Sequence, residues 1–292
     1  MVHLFLFTFA ANTQTMKKVF LLAAAIVATT VLSHAQINTP APSPTQTIHQ
    51  QFGLAAIDIS YSRPGVKGRK IFGDLVPFGK VWRTGANSAT TITFGDDVTI
   101  GQTHIAPGKY GLVTIPGKDN WTIIITKQLD ITNPAAYKAE NDVVKVEAKP
   151  STIGHSVETF TMQIDDVLPT SCTLWMTWEN TAVPLRIKTD IDSKVMAQID
   201  TAIVGANPPY FAAAGYYFNN GKDLTKAKAW ALKATEANPD AYYMFYLLAQ
   251  IQEKLGDKAG AIATAKKSIE LAQKAPNLDY VALNEKLIKR LQ

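Results

Sequence analysis

The stretch KVWRTGANSATTITF, residues 80–94, sets Trp82 beside Arg83 and follows them with Gly85 and Asn87 before a strand-like run of Thr and Ile. A planar guanidinium next to an indole suits anion binding against a flat wall. The fork pairs with a carboxylate or phosphate, and it also stacks on aromatic rings. Between Arg63 and Arg83 stand six basic residues, Arg63, Lys67, Arg69, Lys70, Lys80 and Arg83, against one acid, Asp74. Three of the chain's five arginines lie in this window, in a sequence that otherwise uses lysine. The candidate ligand-binding set is therefore Arg63, Lys67, Arg69, Trp82, Arg83 and Asn87. In that reading Trp82 is a stacking wall, Asn87 a hydrogen-bond donor, and acidic sugars or phosphorylated groups the ligands. The competing reading is structural. Trp82 fills the end of a sandwich, Arg83 pairs with a carboxylate such as Asp58 or Asp74, and Asn87 ties down the turn at Gly85 through its side chain. The sequence leaves both readings open.

Other reactive residues are sparse. His49, His104 and His155 stand at no metal-ligand spacing with each other or with a cysteine; His49 falls in a leader and His104 in a turn. Asp96-Asp97 and Asp165-Asp166 are adjacent pairs. Neighbours on a strand face opposite sides, so neither pair supplies two converging carboxylates, and both read as turn residues. There is no G-x-S-x-G and no phosphate-binding glycine loop, and Ser60 and Ser62 have no evident base. No catalytic residue, metal site or cofactor is assigned. Trp175 and Trp178 are three apart and point to opposite faces, one into the core and one outward. Cys172, the single cysteine, rules out an intramolecular disulfide and reads as a small apolar core residue.

Two kinds of element must position these residues. From Leu54 to about Thr189 apolar residues alternate with period two, as in Ala55, Ile57, Ile59 and Tyr61, and Gly, Pro, Asn and Asp punctuate the runs. Eight or nine short strands at hairpin spacing, among them Trp121–Thr126, Thr173–Trp178 and Val183–Lys188, predict an antiparallel β-sandwich or jelly-roll-like domain over 54–189. No βαβ alternation occurs, which argues against a doubly wound nucleotide-binding sheet. After Thr189 the period becomes helical, with Ile191, Val195, Ile199 and Ile203 four apart. A 34-residue repeat then aligns Gly215 with Ala249, Ala227 with Ala261, Ala231 with Ala265 and Ala234 with Ser268. This resembles the tetratricopeptide repeat, whose small residues let paired helices approach closely. Gln252 departs from it, standing where an aromatic is usual. Helices over 190–204 and 278–291 are expected to cap the stack, the last burying Leu283, Leu287, Ile288 and Leu291.

The N-terminus reads as an address. MKKVFLLAAAIVATTVLSHA, residues 16–35, has a basic end, an apolar core and a small-x-small site, so residues 1–35 are read as a signal peptide starting at Met16 and cleaved after Ala35. The apolar run is too short to span a bilayer. Residues 36–53, polar and proline-rich at the start, are read as a flexible leader. Removing Lys17 and Lys18 from the 29 basic residues leaves 27 against 24 acidic, too small an excess to argue for nucleic acid. A periplasmic or secreted location without disulfides follows, with no membrane span after cleavage.

Three blocks carry a further resemblance: SRPGVKGRKIFGDLVPFGKVWRTGAN at 62–87, GKYGLVTIPGKDNWTIIITK at 108–127 and TLWMTWENTAVPLRI at 173–187. Over roughly 55–190 the chain resembles the bacterial family DUF2911, a domain of unknown function. The resemblance implies an exported protein, largely of Bacteroidetes-type bacteria, often with helical repeats behind the domain. After Lys127 the family has an aromatic-rich segment, where this chain has LDITNPAAYKAEND with only Tyr137. The leading expectation is a non-enzymatic binding or scaffolding module that takes an envelope protein or peptide on the repeats. The alternative is a carbohydrate or anionic small-molecule module, or a hydrolase, built on residues 63–87 with an acid such as Asp58. A third is that the sandwich only displays the repeats.

Overall fold

The computed structural model describes residues 39–292. The signal-peptide reading, residues 1–35, lies outside them. Ten strands form two antiparallel sheets. The six-stranded sheet runs β1 (Thr45–Phe52), β2 (Ala55–Ser62), β3 (Thr91–Phe94), β6 (Gly108–Ile115), β7 (Trp121–Thr126), β8 (Asp142–Ala148). The four-stranded sheet runs β5 (Thr103–Ile105), β4 (Val98–Ile100), β10 (Ser171–Lys188), β9 (Ser151–Leu168). Period two drives this layering: Ile57, Ile59 and Tyr61 face inward from β2 and meet Phe160, Met162, Leu174 and Met176 of the other sheet in one core. Burying each such side chain contributes about 1.5–3 kcal/mol. Cys172 belongs to this core, and burial pushes its thiol up to about 11. Trp178 is buried with it and Trp175 is half-buried on the opposite face, as the odd spacing requires.

Three expectations need correction. The leader over 36–53 is not flexible throughout: Thr45–Phe52 is strand β1, in full register with β2, with Phe52 in the core and His49 against Asp58 at 2.6 Å. It reads as linker because β1 is a sheet edge, where the inward face is Gln46, Ile48, Gln50 and Phe52 and only Ile48 and Phe52 of these are apolar. His104 is in strand β5 rather than a turn, 3.1 Å from Asp97. The two runs 173–178 and 183–188 are one strand, β10, interrupted by register shifts around Glu179, whose φ is +50°.

Six helices follow: α1 (Asp192–Ala202), α2 (Tyr210–Asn219), α3 (Leu224–Ala237), α4 (Tyr242–Lys254), α5 (Lys258–Lys274) and α6 (Leu278–Leu291). The repeat explains their pairing. Ala227, Ala231, Ala249, Ala261 and Ala265 are at most 1% exposed, so α2 packs on α3 and α4 on α5 with little side-chain bulk between them. Asp223 and Asp257 cap α3 and α5 through their carboxylates. Gln252 is buried at the position usual for an aromatic, and its Oε1 has no hydrogen-bond partner. In α6 the buried stripe differs from expectation. Leu287 is buried, but Leu283 is exposed and Asn284 takes the inward position. Asn284 Nδ2 donates to Ser268 Oγ at 2.9 Å and to the Tyr280 carbonyl at 2.7 Å, so a polar contact replaces the expected apolar one.

Candidate functional site

Between β2 and β3 the chain runs through residues 63–90 as a long excursion that closes one end of the sandwich. Loops this long without regular structure are uncommon unless they carry function. It is pinned at several points. Val66 N donates to Glu158 O at 2.7 Å and Phe160 N to Pro64 O at 2.9 Å, tying it to β9. Trp82 and Thr114 exchange backbone bonds at 2.7 and 2.9 Å, tying it to β6. Ile71, Val76 and Trp82 enter the sandwich core.

Trp82 is 8% exposed and anchors an aromatic cluster. It stacks on Trp178 with centroids 5.8 Å apart and meets Phe160 edge-on at 5.0 Å, while Phe72 meets Trp121 at 4.9 Å. Its indole nitrogen donates to Gly85 O at 3.0 Å. Gly85 leaves little room for a side chain, because a Cβ there would stand 3.0 Å from Ser62 O and from Thr90 Oγ1. Thr84, fully buried, holds φ +55°, which is costly for a β-branched residue. It is fixed by bonds from its hydroxyl to Thr114 Oγ1 at 3.1 Å and from Thr90 Oγ1 to its carbonyl at 2.8 Å. The direction of the neighbouring Arg83 is thereby set by buried structure.

The cations brace this loop, though not through carboxylates. Arg83 Nη1 donates to Thr132 O at 2.9 Å, and its Nε is buried without an acceptor. Arg63 clamps β9 through Phe160 O at 3.1 Å and Thr161 Oγ1 at 2.8 Å. Arg69 donates to Val66 O at 3.0 Å and Gly65 O at 2.6 Å. Lys67 reaches Pro42 O at 3.4 Å, and Asn87, at φ +56°, donates to Ser43 O at 3.0 Å. Asn87 thus holds the segment leading into β1 rather than the Gly85 turn. Asp58, the expected partner of Arg83, is engaged with His49. Among the described residues no ion pair joins Arg63, Arg69, Lys80 or Arg83 to an acid.

Of the six candidates, Arg69, Trp82 and Arg83 line one cleft of about 390 Å³, together with Trp178 and Pro134. Arg63, Lys67 and Asn87 lie outside it. Lys80 also lines it and was missed as a site residue. Its signal was its place in the basic window. Among the described residues no acid lines the cleft. The segment after Lys127 contributes Pro134 to the wall and Thr132 O to Arg83, while Ile131 and Tyr137 pack over Val113 and Ile124 on the outer face of β6 and β7.

The repeat half presents a second feature. Aromatics, half-buried except for the exposed Tyr243, run across the first helix of each pair and the cap. Phe211 of α2 meets Tyr243 of α4 at 5.3 Å, Tyr243 meets Tyr242 at 5.6 Å, Tyr242 meets Tyr280 of α6 at 4.9 Å, and Tyr280 meets Tyr246 at 5.6 Å. Partly buried polar bonds hold the row: Ser268 Oγ donates to Tyr242 O at 2.7 Å, and Asn277 Nδ2 to Tyr242 Oη at 2.9 Å. Burial raises the Tyr280 phenol above its ordinary value.

With this geometry in view, residues 43–187 match the model of a protein family of unknown function, DUF2911. This segment belongs to the DUF2911 family. The match begins at Ser43, ahead of β1, and so takes in the strand first read as leader. Residues 242–274, which are α4 and α5, match a tetratricopeptide repeat. No curated protein and no solved structure matches the chain.

Proposed function

We propose that this is an exported, non-enzymatic module of a bacterial envelope that binds a protein or peptide segment on its repeat half. The aromatic row on α2, α4 and α6 carries the reading. Tyrosine offers a large, rigid, amphipathic contact at low cost in side-chain entropy, and Tyr243 is 38% exposed in the middle of the row. The tetratricopeptide match supports it, since stacked helical repeats commonly present an extended surface to a partner chain. The signal-like pattern at 16–35 supports export.

Panning a random peptide display library against residues 39–292 tests the binding. Enrichment of a peptide family whose binding falls at least tenfold in Tyr243→Ala and Tyr246→Ala is the expected outcome. Peptides that bind both variants as they bind the parent would place the contact elsewhere. Export is tested by N-terminal sequencing of the protein from a periplasmic fraction, with Gln36 the expected first residue.

A further inference from the structure

We infer that the cleft at the end of the sandwich binds a phosphate monoester with a flat apolar body, held by Arg69, Lys80 and Arg83 over Trp82. Three observations lead there. The first is charge. Backbone carbonyls are neutral acceptors, so Arg69 and Arg83 are fixed in place by hydrogen bonds without losing their positive charge. Lys80 has no ion-pair partner among the described residues, and no acid lines the cleft. A loop that used arginine only to brace itself would lose nothing by placing an acid among these cations. Instead three like charges surround one hollow, which leaves an anion as the complement.

The second observation is donor geometry. A carboxylate is best met by one guanidinium fork with nothing competing for it. Here the donors are partly spent and divided between two side chains. Arg69 gives one bond each from Nε and Nη2 to Val66 O and Gly65 O, keeping both Nη1 hydrogens and the second on Nη2; Arg83 gives one Nη1 bond to Thr132 O and has its Nε buried, keeping the other Nη1 hydrogen and both on Nη2. Free donors from two separate guanidinium groups and the Lys80 ammonium outnumber what the two oxygens of a carboxylate take up, and they match an anion with three terminal oxygens spread around one centre. That is a phosphate monoester. The third observation is the remainder of the wall. Val76, Pro77, Pro134 and the indole of Trp82 are apolar, and about 390 Å³ exceeds what a bare phosphate fills. The buried strain at Thr84 beside Arg83 fits a loop whose shape is held for a ligand.

Titration calorimetry of residues 36–292 with phenyl phosphate, inorganic phosphate, benzoate and benzyl alcohol tests the site. Phenyl phosphate is expected to bind once per chain, at least tenfold more tightly than inorganic phosphate or benzoate, with benzyl alcohol silent. Lys80→Glu should weaken it at least tenfold without moving the unfolding midpoint, because that ammonium makes no hydrogen bond or ion pair among the described residues. Arg69→Gln serves as the second variant and should also weaken binding. Competition with vesicles containing phosphatidic acid then separates sources: displacement of phenyl phosphate indicates a lipid headgroup, and no displacement a soluble ester. Absence of binding by phenyl phosphate, binding indifferent to both variants, or benzoate as the tightest probe would overturn the inference. The repeat half has no part in this test, so its outcome is independent of peptide binding.

Discussion

Arg83 and Trp82 are adjacent in sequence and divide two tasks between them. The indole closes the core, and the guanidinium, turned away by the fixed backbone of Thr84, ties down the segment after β7. Trp82→Phe keeps much of the ring but leaves the Gly85 carbonyl without its donor in a buried place. A loss of about 2–3 kcal/mol is expected, read from urea unfolding followed by far-ultraviolet circular dichroism. Gln252 is the opposite case. Its side chain is buried with Oε1 unpartnered, so it spends desolvation for no bond. Gln252→Met keeps the shape and removes the polar atoms, and should stabilise the helical half by about 1 kcal/mol, seen as a higher thermal midpoint at 222 nm. Legibility at this scale follows the same division. The basic and aromatic density of 63–87 is written in residue types. That carbonyls and not carboxylates accept the arginine bonds is not, because every residue carries a carbonyl and the fold alone decides which one arrives.

Strands with one buried face were readable and strands at an edge were not. β2 alternates cleanly because the core takes every second residue, and β7 matched its expected bounds, 121–126. β1 was hidden because an edge strand needs few apolar residues, and Thr, Gln and His fill the rest. The 34-residue repeat was readable because close helix packing demands Ala or Gly at fixed places, whereas the exchange of Leu283 for Asn284 depends on where Ser268 happens to lie. The β1 correction has a direct test. A chain beginning at Leu54 loses the β1–β2 pairing, exposes the edge of β2 and removes Phe52 from the core. Compared with a chain beginning at residue 39, it should be less stable by about 3 kcal/mol or more and should aggregate on heating, as static light scattering during a thermal ramp will show.

At the scale of the whole molecule the question is whether the two halves move together, and α1 is the piece that answers it. Lys194 pairs with Asp96 and, at 3.2 Å, with Asp97, both in the turn between β3 and β4, while Thr189 Oγ1 donates to Asp97 O at 2.9 Å. On its other side Asp192 accepts from Lys222 at 2.7 Å and from Tyr216 at 2.8 Å, binding α1 to the repeats. Gly53 lets the sandwich come this close. A Cβ there would stand 2.9 Å from Thr189 Cγ2, and its φ of +61° already favours glycine. The hydrogen bond from Lys194 holds the Asp96 carboxyl below its ordinary value, and that from Lys222 does the same for Asp192. A depressed carboxylate stabilises the folded arrangement above its unfolded value, near 4, and that contribution is lost as pH falls through the lower folded value. Lys194 is shifted upward by the same pair, so its share is present below its ordinary value and fades only in strong alkali. The halves should therefore hold one relative placement from about pH 5 to pH 9 and loosen below about pH 4. Limited proteolysis at neutral pH gives the mutational counterpart: Lys194→Ala should speed cleavage near Thr189 several-fold while each half stays folded, and Asp96→Asn should do the same. Small-angle scattering of the unmutated protein along a titration from pH 7 to about pH 2.5 completes the test, with a larger radius of gyration expected as pH falls through the lowered carboxyl values. An unchanged radius, together with unchanged proteolysis in both variants, would mean that the close approach of Gly53 to Thr189 holds the halves without the ion pairs.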